Sequence, residues 1–128
     1  MSDPEKPQMN AIAWSELTSS DPDAAITFYS ELFGWTSEKA PTPEMDYTML
    51  KAGDQTFGGV MAPPEPGIPS HWLNYVSVPD VDEAAKKAES LGGTVCMPPT
   101  DIGDMGRIAI IKDPQGAAIG LHWSDQSC

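Results

Sequence analysis

Two stretches of the chain carry apolar residues at the spacing of an amphipathic helix. They recur every three or four positions, at Ala25, Phe28, Tyr29 and Leu32 and then at Val81, Ala84, Ala85, Ala88 and Leu91. An aspartate precedes each stretch, Asp21 and Asp80, and a short carboxylate there caps the free amides of a first helical turn. Gly34 and the pair Gly92-Gly93 follow, where a helix ends in a positive φ. The pattern predicts two helices.

Shorter apolar stretches around these helices predict β-strands. In the first half they cover Ile12–Thr18 before the helix and then Trp35–Lys39, Tyr47–Ala52 and Thr56–Ala62. In the second half they cover His71–Val78 and then Thr94–Met97, Arg107–Lys112 and Ala117–Trp123. Each half is therefore a βαβββ module, and the fold class is α+β.

The two halves repeat each other at a constant offset of 59 positions. The offset aligns Asp21 with Asp80, Asp23 with Asp82, Ala25 with Ala84, Leu32 with Leu91, Gly34 with Gly93, and Asp54 with Asp113. We predict one domain over residues 1–128, with a first module at 10–62, a proline-rich linker at 63–70 and a second module at 71–123. One helix covers only one face of a four-stranded sheet, so we expect two tandem modules to form a curled mixed sheet around a shared cavity.

Strand alternation predicts which side chains face that cavity. Successive side chains of a strand point to opposite faces of the sheet, so alternate residues share a face. One set of alternate residues lies under the helices: Leu17, Val76, Val78, Ile119, Leu121 and Trp123. Residues of the other set face the cavity: Trp14, Glu16, Thr18, His71, Leu73, Tyr75, Ser77, Ala118, Gly120 and His122. A bulge in any strand would reverse these assignments beyond it.

The duplicated plan, together with the stretches "FYSELFGW" and "DPQGAAIGL", resembles the vicinal oxygen chelate superfamily of glyoxalases, bleomycin resistance proteins and extradiol dioxygenases. The resemblance implies a divalent metal held by His, Glu or Gln at four strand positions. Here those positions hold Trp14, Met61, Leu73 and Gly120, none of which offers a charged oxygen or an imidazole. We therefore predict that the inherited metal site is absent, and that Gly120 leaves space for a small ligand or for the Trp14 side chain.

A displaced metal site remains as an alternative. Glu16, His71 and His122 each lie two residues from one of those positions and share its face, so together they could hold zinc, nickel, manganese or iron. The residues also allow other roles: His71 as a surface or capping histidine, His122 bonded to a backbone group, and Glu16 as a solvated rim residue, a paired carboxylate or a general base.

Other side chains have simpler interpretations. We expect Phe28, Phe33 and Trp35 to be core, and Cys96 to be a buried, inert thiol. Trp14, Trp72 and Tyr75 are either core or aromatic walls for a ligand. Arg107, the only arginine, either clamps an anionic ligand or pairs with an acidic side chain, and the excess of acids favours the pair.

Charge and composition narrow the partners. The net charge of −12 disfavours nucleic acid, and no apolar run is long enough for a membrane span. The start "MSDPEK" lacks a signal-peptide pattern, and Cys96 and Cys128 are too few for a disulfide framework, so we expect reduced thiols and a cytoplasmic location.

Three functions follow. The first is a metal-independent protein that binds a small organic molecule and uses no cofactor; its pocket residues are Trp14, Glu16, Met61, Leu73, Tyr75, Gly120 and His122. The second is a lyase or dioxygenase of the glyoxalase type that uses the displaced metal site or Glu16 alone, so the sequence leaves open whether the protein is an enzyme. The third is a structural, dimeric module whose cavity is filled by its own side chains. The resemblance also implies a homodimer.

Overall fold

The structure is a computed structural model that describes residues 8–40 and 46–124, except for the side chain of Asp104. The chain separates into two compact units. We call Trp14–Leu73 the α1 unit, and Met1–Ala13 together with Asn74–Cys128 the α2 unit.

The first five elements follow the predicted order. They are β1 (Ile12–Thr18), α1 (Pro22–Phe33), β2 (Thr36–Lys39), β3 (Tyr47–Ala52) and β4 (Gln55–Met61). The strands are arranged in the order β2-β3-β4-β1, with β1 parallel to β4 and the other neighbours antiparallel. The Asp21 carboxylate accepts a hydrogen bond from the Ala24 amide, and Gly34 ends the helix at a φ of 75°.

The core of the α1 unit lies between α1 and one sheet face. Leu17, Leu50 and Val60 are buried there, and Ala25, Ile26 and Tyr29 of α1 pack against them. Leu17 thus lies under the helix, as alternation predicts, and Trp14 and Glu16 project from the opposite face.

The remaining elements form the second module. They are β5 (His71–Ser77), α2 (Val81–Ser90), β6 (Thr94–Asp101), a short 3-10 helix (Gly103–Met105), β7 (Arg107–Lys112) and β8 (Ala118–Trp123). The strand order is β5-β8-β7-β6, with β5 parallel to β8. The Asp80 carboxylate caps α2 by accepting from the Glu83 amide. The βαβββ plan is therefore confirmed in both halves.

The core of the α2 unit lies under α2. Its buried residues are Val78, Val81, Ala85, Ala109 and Leu121, with Val76 and Trp123 packed against them. Of these, Val76, Val78, Leu121 and Trp123 are residues that alternation assigns to the helix side. No helix within 8–40 and 46–124 is long and apolar enough to cross a membrane.

Two expectations about buried residues are wrong. Phe28 and Phe33 are 59% and 57% exposed, whereas Ala25, Ile26 and Tyr29 of α1 pack against the buried core. Cys96 is exposed as well. It lies in β6, an edge strand that continues through Pro98 and Pro99 to Asp101 with two register shifts, and an edge strand tolerates prolines because one side needs no ladder bonds.

A bulge in β4 changes the alternation at one residue. The register of β3 with β4 shifts between Leu50 and Lys51, which leaves Phe57 without a partner across the ladder. Phe57 packs against the α1 core and against Trp35, with their ring centroids 4.5 Å apart. Gly58 and Gly59 follow the bulge. Each lies on the same sheet face as the β1 residue with which it is paired, Ser15 for Gly58 and Glu16 for Gly59.

Candidate functional site

One sheet face of the α1 unit carries a cluster of aromatic, sulfur-containing and acidic side chains. This α1-unit far face lies opposite α1 and consists of Trp14, Glu16, Tyr47, Met49 and Met61. The register shows that they share a face, since Glu16 and Met49 are both paired with Gly59, and Tyr47 is paired with Met61. Tyr47 is buried and the other four are partly buried.

A chain of hydrogen bonds crosses this face. The indole N–H of Trp14 donates to the hydroxyl of Tyr47 over 2.8 Å, and that hydroxyl donates to Oε2 of Glu16 over 3.0 Å. The Tyr47 ring passes over Gly59, where an added Cβ would overlap the ring. Glycine at position 59 therefore allows the phenol to reach β1, and the phenol in turn fixes the Glu16 carboxylate.

The fixed carboxylate defines what the face can do chemically. An ionised carboxylate accepts hydrogen bonds, and a charge-assisted bond to it is stronger than a neutral one. Trp14 offers a ring face, and Met49 and Met61 offer polarizable thioethers that adapt to an apolar ligand. The face therefore has the elements of an organic-ligand site, with Glu16 as the polar group that orients the ligand.

The corresponding face of the α2 unit is packed differently. Tyr75 is paired with Gly120 between β5 and β8, and its ring covers the glycine so closely that an added Cβ would overlap three ring carbons. The space beside Gly120 is thus filled by Tyr75. The expectation that a ligand or the Trp14 side chain occupies it is wrong.

Both histidines bind backbone carbonyls. The Nδ1 of His71, an exposed residue, lies 2.8 Å from the Pro69 oxygen, and Nε2 of His122, which is partly buried, lies 2.7 Å from the Met105 oxygen. Since a carbonyl only accepts, each of these ring nitrogens carries the proton, and the opposite nitrogen of each ring keeps its lone pair. His71 is thus a surface residue and His122 is bonded to a backbone group, two of the roles considered for them.

The residues present do not fit the metal that the resemblance implies. The indole N–H of Trp14 donates a hydrogen bond to the Tyr47 hydroxyl and has no lone pair for a metal. Met61 offers only a thioether, and the Leu73 side chain has no atom that could bind a metal. At Gly120 the ring of Tyr75 stands where a glutamate side chain would begin. Within the part of the chain that the structure describes, no three His, Cys, Asp or Glu side chains form a group able to hold a metal ion.

Arg107 serves a structural contact in the α2 unit. Its guanidinium donates to both oxygens of Asp82 over 2.8 and 2.9 Å and to Asp101 over 2.9 Å. Hydrogen bonding to Arg107 lowers the pKa of the Asp82 carboxyl below its ordinary value. The arginine therefore pairs with acids, as the charge balance predicts, and joins α2 to the ends of β6 and β7.

Two open grooves lie away from the predicted pocket residues. One, with a volume of about 580 Å³, runs along α2 past Asn10, Pro79 and Lys87. The other, of about 330 Å³, runs between α1 and β2 past Ile26 and Lys39. Neither groove includes a residue of the α1-unit far face.

Alternation could have identified several residues of the far faces that the sequence analysis missed. In β3, Leu50 belongs under the helix, which places Tyr47 and Met49 on the other side. In β7, Ala109 belongs under α2, which places Ile108 and Ile110 opposite; they pair with His122 and Gly120. No signal in the sequence indicates that the Tyr47 ring crosses Gly59, because that contact depends on strand pairing.

Comparison with known proteins agrees with this architecture. The model of the glyoxalase/bleomycin resistance protein/dioxygenase superfamily matches residues 10–121, and the chain belongs to that superfamily. Among curated proteins it is 43% identical over 115 residues to "Putative glyoxylase CFP32" of Mycobacterium bovis, covering 89% of this chain and 44% of that protein. It is 33% identical over 126 residues to the anthracycline biosynthesis protein DnrV of Streptomyces peucetius, covering 87% of this chain and 46% of that protein. The chain thus spans less than half the length of these relatives.

Solved structures share the fold at low sequence identity. Methylmalonyl-CoA epimerase from Mycobacterium tuberculosis superposes with a TM-score of 0.63 at 18% identity, covering 88% of this chain and 87% of the epimerase. The Streptomyces coelicolor epimerase in complex with 2-nitronate-propionyl-CoA gives 0.65 at 20% identity, covering 92% and 96%. These likenesses confirm the predicted fold class.

Proposed function

We propose that this chain binds a small organic molecule on the α1-unit far face, without a metal ion. The observation that supports this most is the Glu16 carboxylate, held by the Tyr47 hydroxyl on a partly buried face of aromatic and methionine side chains. Helix α1 packs on the opposite face, through Ala25, Ile26 and Tyr29. A fixed polar group on an apolar surface is the usual composition of a ligand site.

The chemistry of the face indicates the class of ligand. Its apolar body would lie against Trp14, Met49 and Met61, and a hydrogen-bond donor, such as an amine, would reach Glu16. A positive charge beside an aromatic ring and a carboxylate gains from both. A net charge of −12 repels anions, so a phosphate-bearing ligand such as the coenzyme A esters of the structural neighbours is disfavoured.

The contribution of the predicted α2-unit residues Tyr75, Gly120 and His122 to a pocket stays a prediction, as does that of Leu73. The proposal rests on the α1 unit alone. The cytoplasmic location and the exclusion of nucleic acid and membrane partners also stay predictions.

A second function is favoured by the name of the curated relative, which describes a glyoxylase. In that case Glu16 would act as a general base on the bound molecule, with the Tyr47 hydroxyl orienting its carboxylate. Recovery of the bound compound after prolonged incubation separates the two functions. Unchanged compound supports binding, and a product that forms with the native chain but not with Glu16→Gln supports catalysis.

The proposal is tested by thermal shift in the presence of a chelator. The probes are aromatic amines, with aromatic carboxylates of the same ring size for comparison. A ligand at 100 times its Kd stabilises the folded state by about 2.7 kcal/mol, which is a shift of several degrees in a domain of this size. We expect the amines to raise the Tm and the carboxylates to leave it unchanged.

Two variants then locate the site. Glu16→Gln removes the negative charge and should weaken amine binding at least tenfold, whereas Glu83→Gln, an equivalent change on an exposed position of α2, should leave it unchanged. Equal effects of the two changes would remove the far face as the site. The absence of stabilisation by every compound would count against ligand binding itself.

A further inference from the structure

The hydrogen-bond acceptors of the α1-unit far face restrict which amine this face fits. Glu16 is the carboxylate among its five side chains, and Oε2 of Glu16 accepts a bond from the Tyr47 hydroxyl over 3.0 Å. That hydroxyl accepts in turn from the Trp14 indole over 2.8 Å, so its proton and one of its lone pairs are both used. Among these side chains the Glu16 carboxylate is therefore the strong acceptor for a ligand.

The other side chains of the face suit alkyl groups on a cation. The indole N–H of Trp14 only donates, and the thioethers of Met49 and Met61 accept weakly. Tryptophan has the ring face that attracts a cation most strongly, and sulfur is soft and polarizable. All three side chains are partly buried, so alkyl groups that lie against them are removed from water.

These properties discriminate between amines that carry the same charge. A primary ammonium has three N–H donors that diverge in tetrahedral directions, and one carboxylate cannot receive all three. A quaternary ammonium has no donor and makes no hydrogen bond to the carboxylate. A tertiary ammonium has one N–H donor for Glu16 and three alkyl groups for Trp14 and the thioethers, so no donor of the ligand is left unsatisfied.

We infer that the ligands of the α1-unit far face are tertiary ammonium ions attached to an apolar or aromatic body. This inference rests on the proposed function and narrows its ligand class from amines in general to N,N-dialkyl amines. The net charge of −12 attracts primary, tertiary and quaternary ammonium ions alike, so the choice among them depends on the side chains of the face.

The inference is tested by isothermal titration calorimetry with phenethylamine and its N-methyl, N,N-dimethyl and N,N,N-trimethyl derivatives, all cations at neutral pH. Each methyl group removed from water is worth about fourfold in Kd, so the dimethyl compound should bind roughly 15-fold more tightly than the primary amine. The third methyl group replaces the last N–H donor, and losing a charge-assisted hydrogen bond costs about tenfold or more in Kd. The trimethyl compound should therefore bind at least about threefold more weakly than the dimethyl compound.

Three variants assign this order of affinities to the side chains of the face. Glu16→Gln replaces the charged acceptor by a neutral one, so the dimethyl compound should lose its advantage over the trimethyl compound. Trp14→Leu removes the ring face and should weaken the binding of both compounds. Trp72→Leu is the matched control and should leave binding unchanged, because the Trp72 indole also donates to a tyrosine hydroxyl, but to that of Tyr29 on α1, over 3.3 Å.

An affinity that rises through the trimethyl compound, falls with methylation or is the same for all four compounds would overturn the inference and leave the proposed function standing. Binding of none of the four compounds would contradict the proposed function as well. Equal effects of Trp14→Leu and Trp72→Leu would also overturn the inference, since the ring on the far face would then have no special part. If circular dichroism shows that Trp14→Leu is unfolded, Trp14→Phe replaces it and should weaken both compounds by a smaller factor.

Discussion

Replacing Gly120 by alanine tests whether this glycine is there to accommodate Tyr75. The added Cβ would overlap three carbons of the Tyr75 ring, far inside the ~3.5–4.0 Å at which carbon atoms pack. Overpacking of this kind costs about 1–3 kcal/mol of folding free energy. Alanine in a strand gains about 0.5–1 kcal/mol over glycine, so we expect a net loss of roughly 0.5–2 kcal/mol.

The same change should have the opposite sign once the ring is absent. In a Tyr75→Ala background only the gain from alanine remains, and Gly120→Ala should stabilise by about 0.5–1 kcal/mol. The two backgrounds then differ by about 1–3 kcal/mol, which urea denaturation of the four chains measures as a coupling energy. Tyr75→Val gives the same comparison if the alanine background is too unstable.

A second glycine serves as the control for this cycle. An added Cβ at Gly58 would overlap the backbone carbonyl of Ser15 instead of a side chain. Gly58→Ala should therefore destabilise equally with and without Tyr75. If Gly120→Ala also behaves identically in both backgrounds, the ring does not occupy the space and the reasoning about position 120 is refuted.

Three further changes are predicted from single contacts. Asp80→Ala removes the cap of α2 and should lower the free energy of unfolding by about 1 kcal/mol in urea; an unchanged midpoint would contradict the cap. Tyr47→Phe removes one donor to Glu16 and should cost about 1–3 kcal/mol, since a partly buried charge loses a hydrogen bond; no change in the Tm would mean that the bond contributes nothing. Asp82→Asn tests the ion pair between Asp82 and Arg107. Because this pairing lowers the pKa of Asp82, the pair stabilises the folded state fully at pH values above the ordinary pKa of 3.8. That stabilisation is lost as the pH falls through the lower pKa that Asp82 has in the folded state. The native chain should therefore exceed Asp82→Asn in stability at neutral pH and approach it in acid, and a difference that is constant with pH would refute the pairing.

Much of the fold could be predicted because its signals are local. The caps Asp21 and Asp80, the helical spacing and the strand alternation depend on neighbouring residues, and the repeat supplied each of these signals twice. Alternation also placed Leu17 and Leu121 correctly under the helices.

The errors concern contacts between distant parts of the chain. Helical spacing shows that Phe28 and Tyr29 are apolar positions of α1, but not that α1 lies on its sheet through Tyr29 and leaves Phe28 outside. The packing of Tyr75 on Gly120 depends on the register between β5 and β8, which are more than forty residues apart in the chain. The Tyr47–Glu16 bond depends in the same way on the pairing of β1, β3 and β4.

Metal analysis of the freshly purified chain, with a thermal-shift titration of zinc, nickel, manganese and iron(II), tests the central claim of metal-independent binding most directly. With Trp14, Met61, Leu73 and Gly120 at the ligand positions, we predict that no metal is retained and that none of the four ions raises the Tm. A metal present near one equivalent per chain that raises the Tm would contradict the account, and Glu16, His71 and His122 would be the first residues to replace.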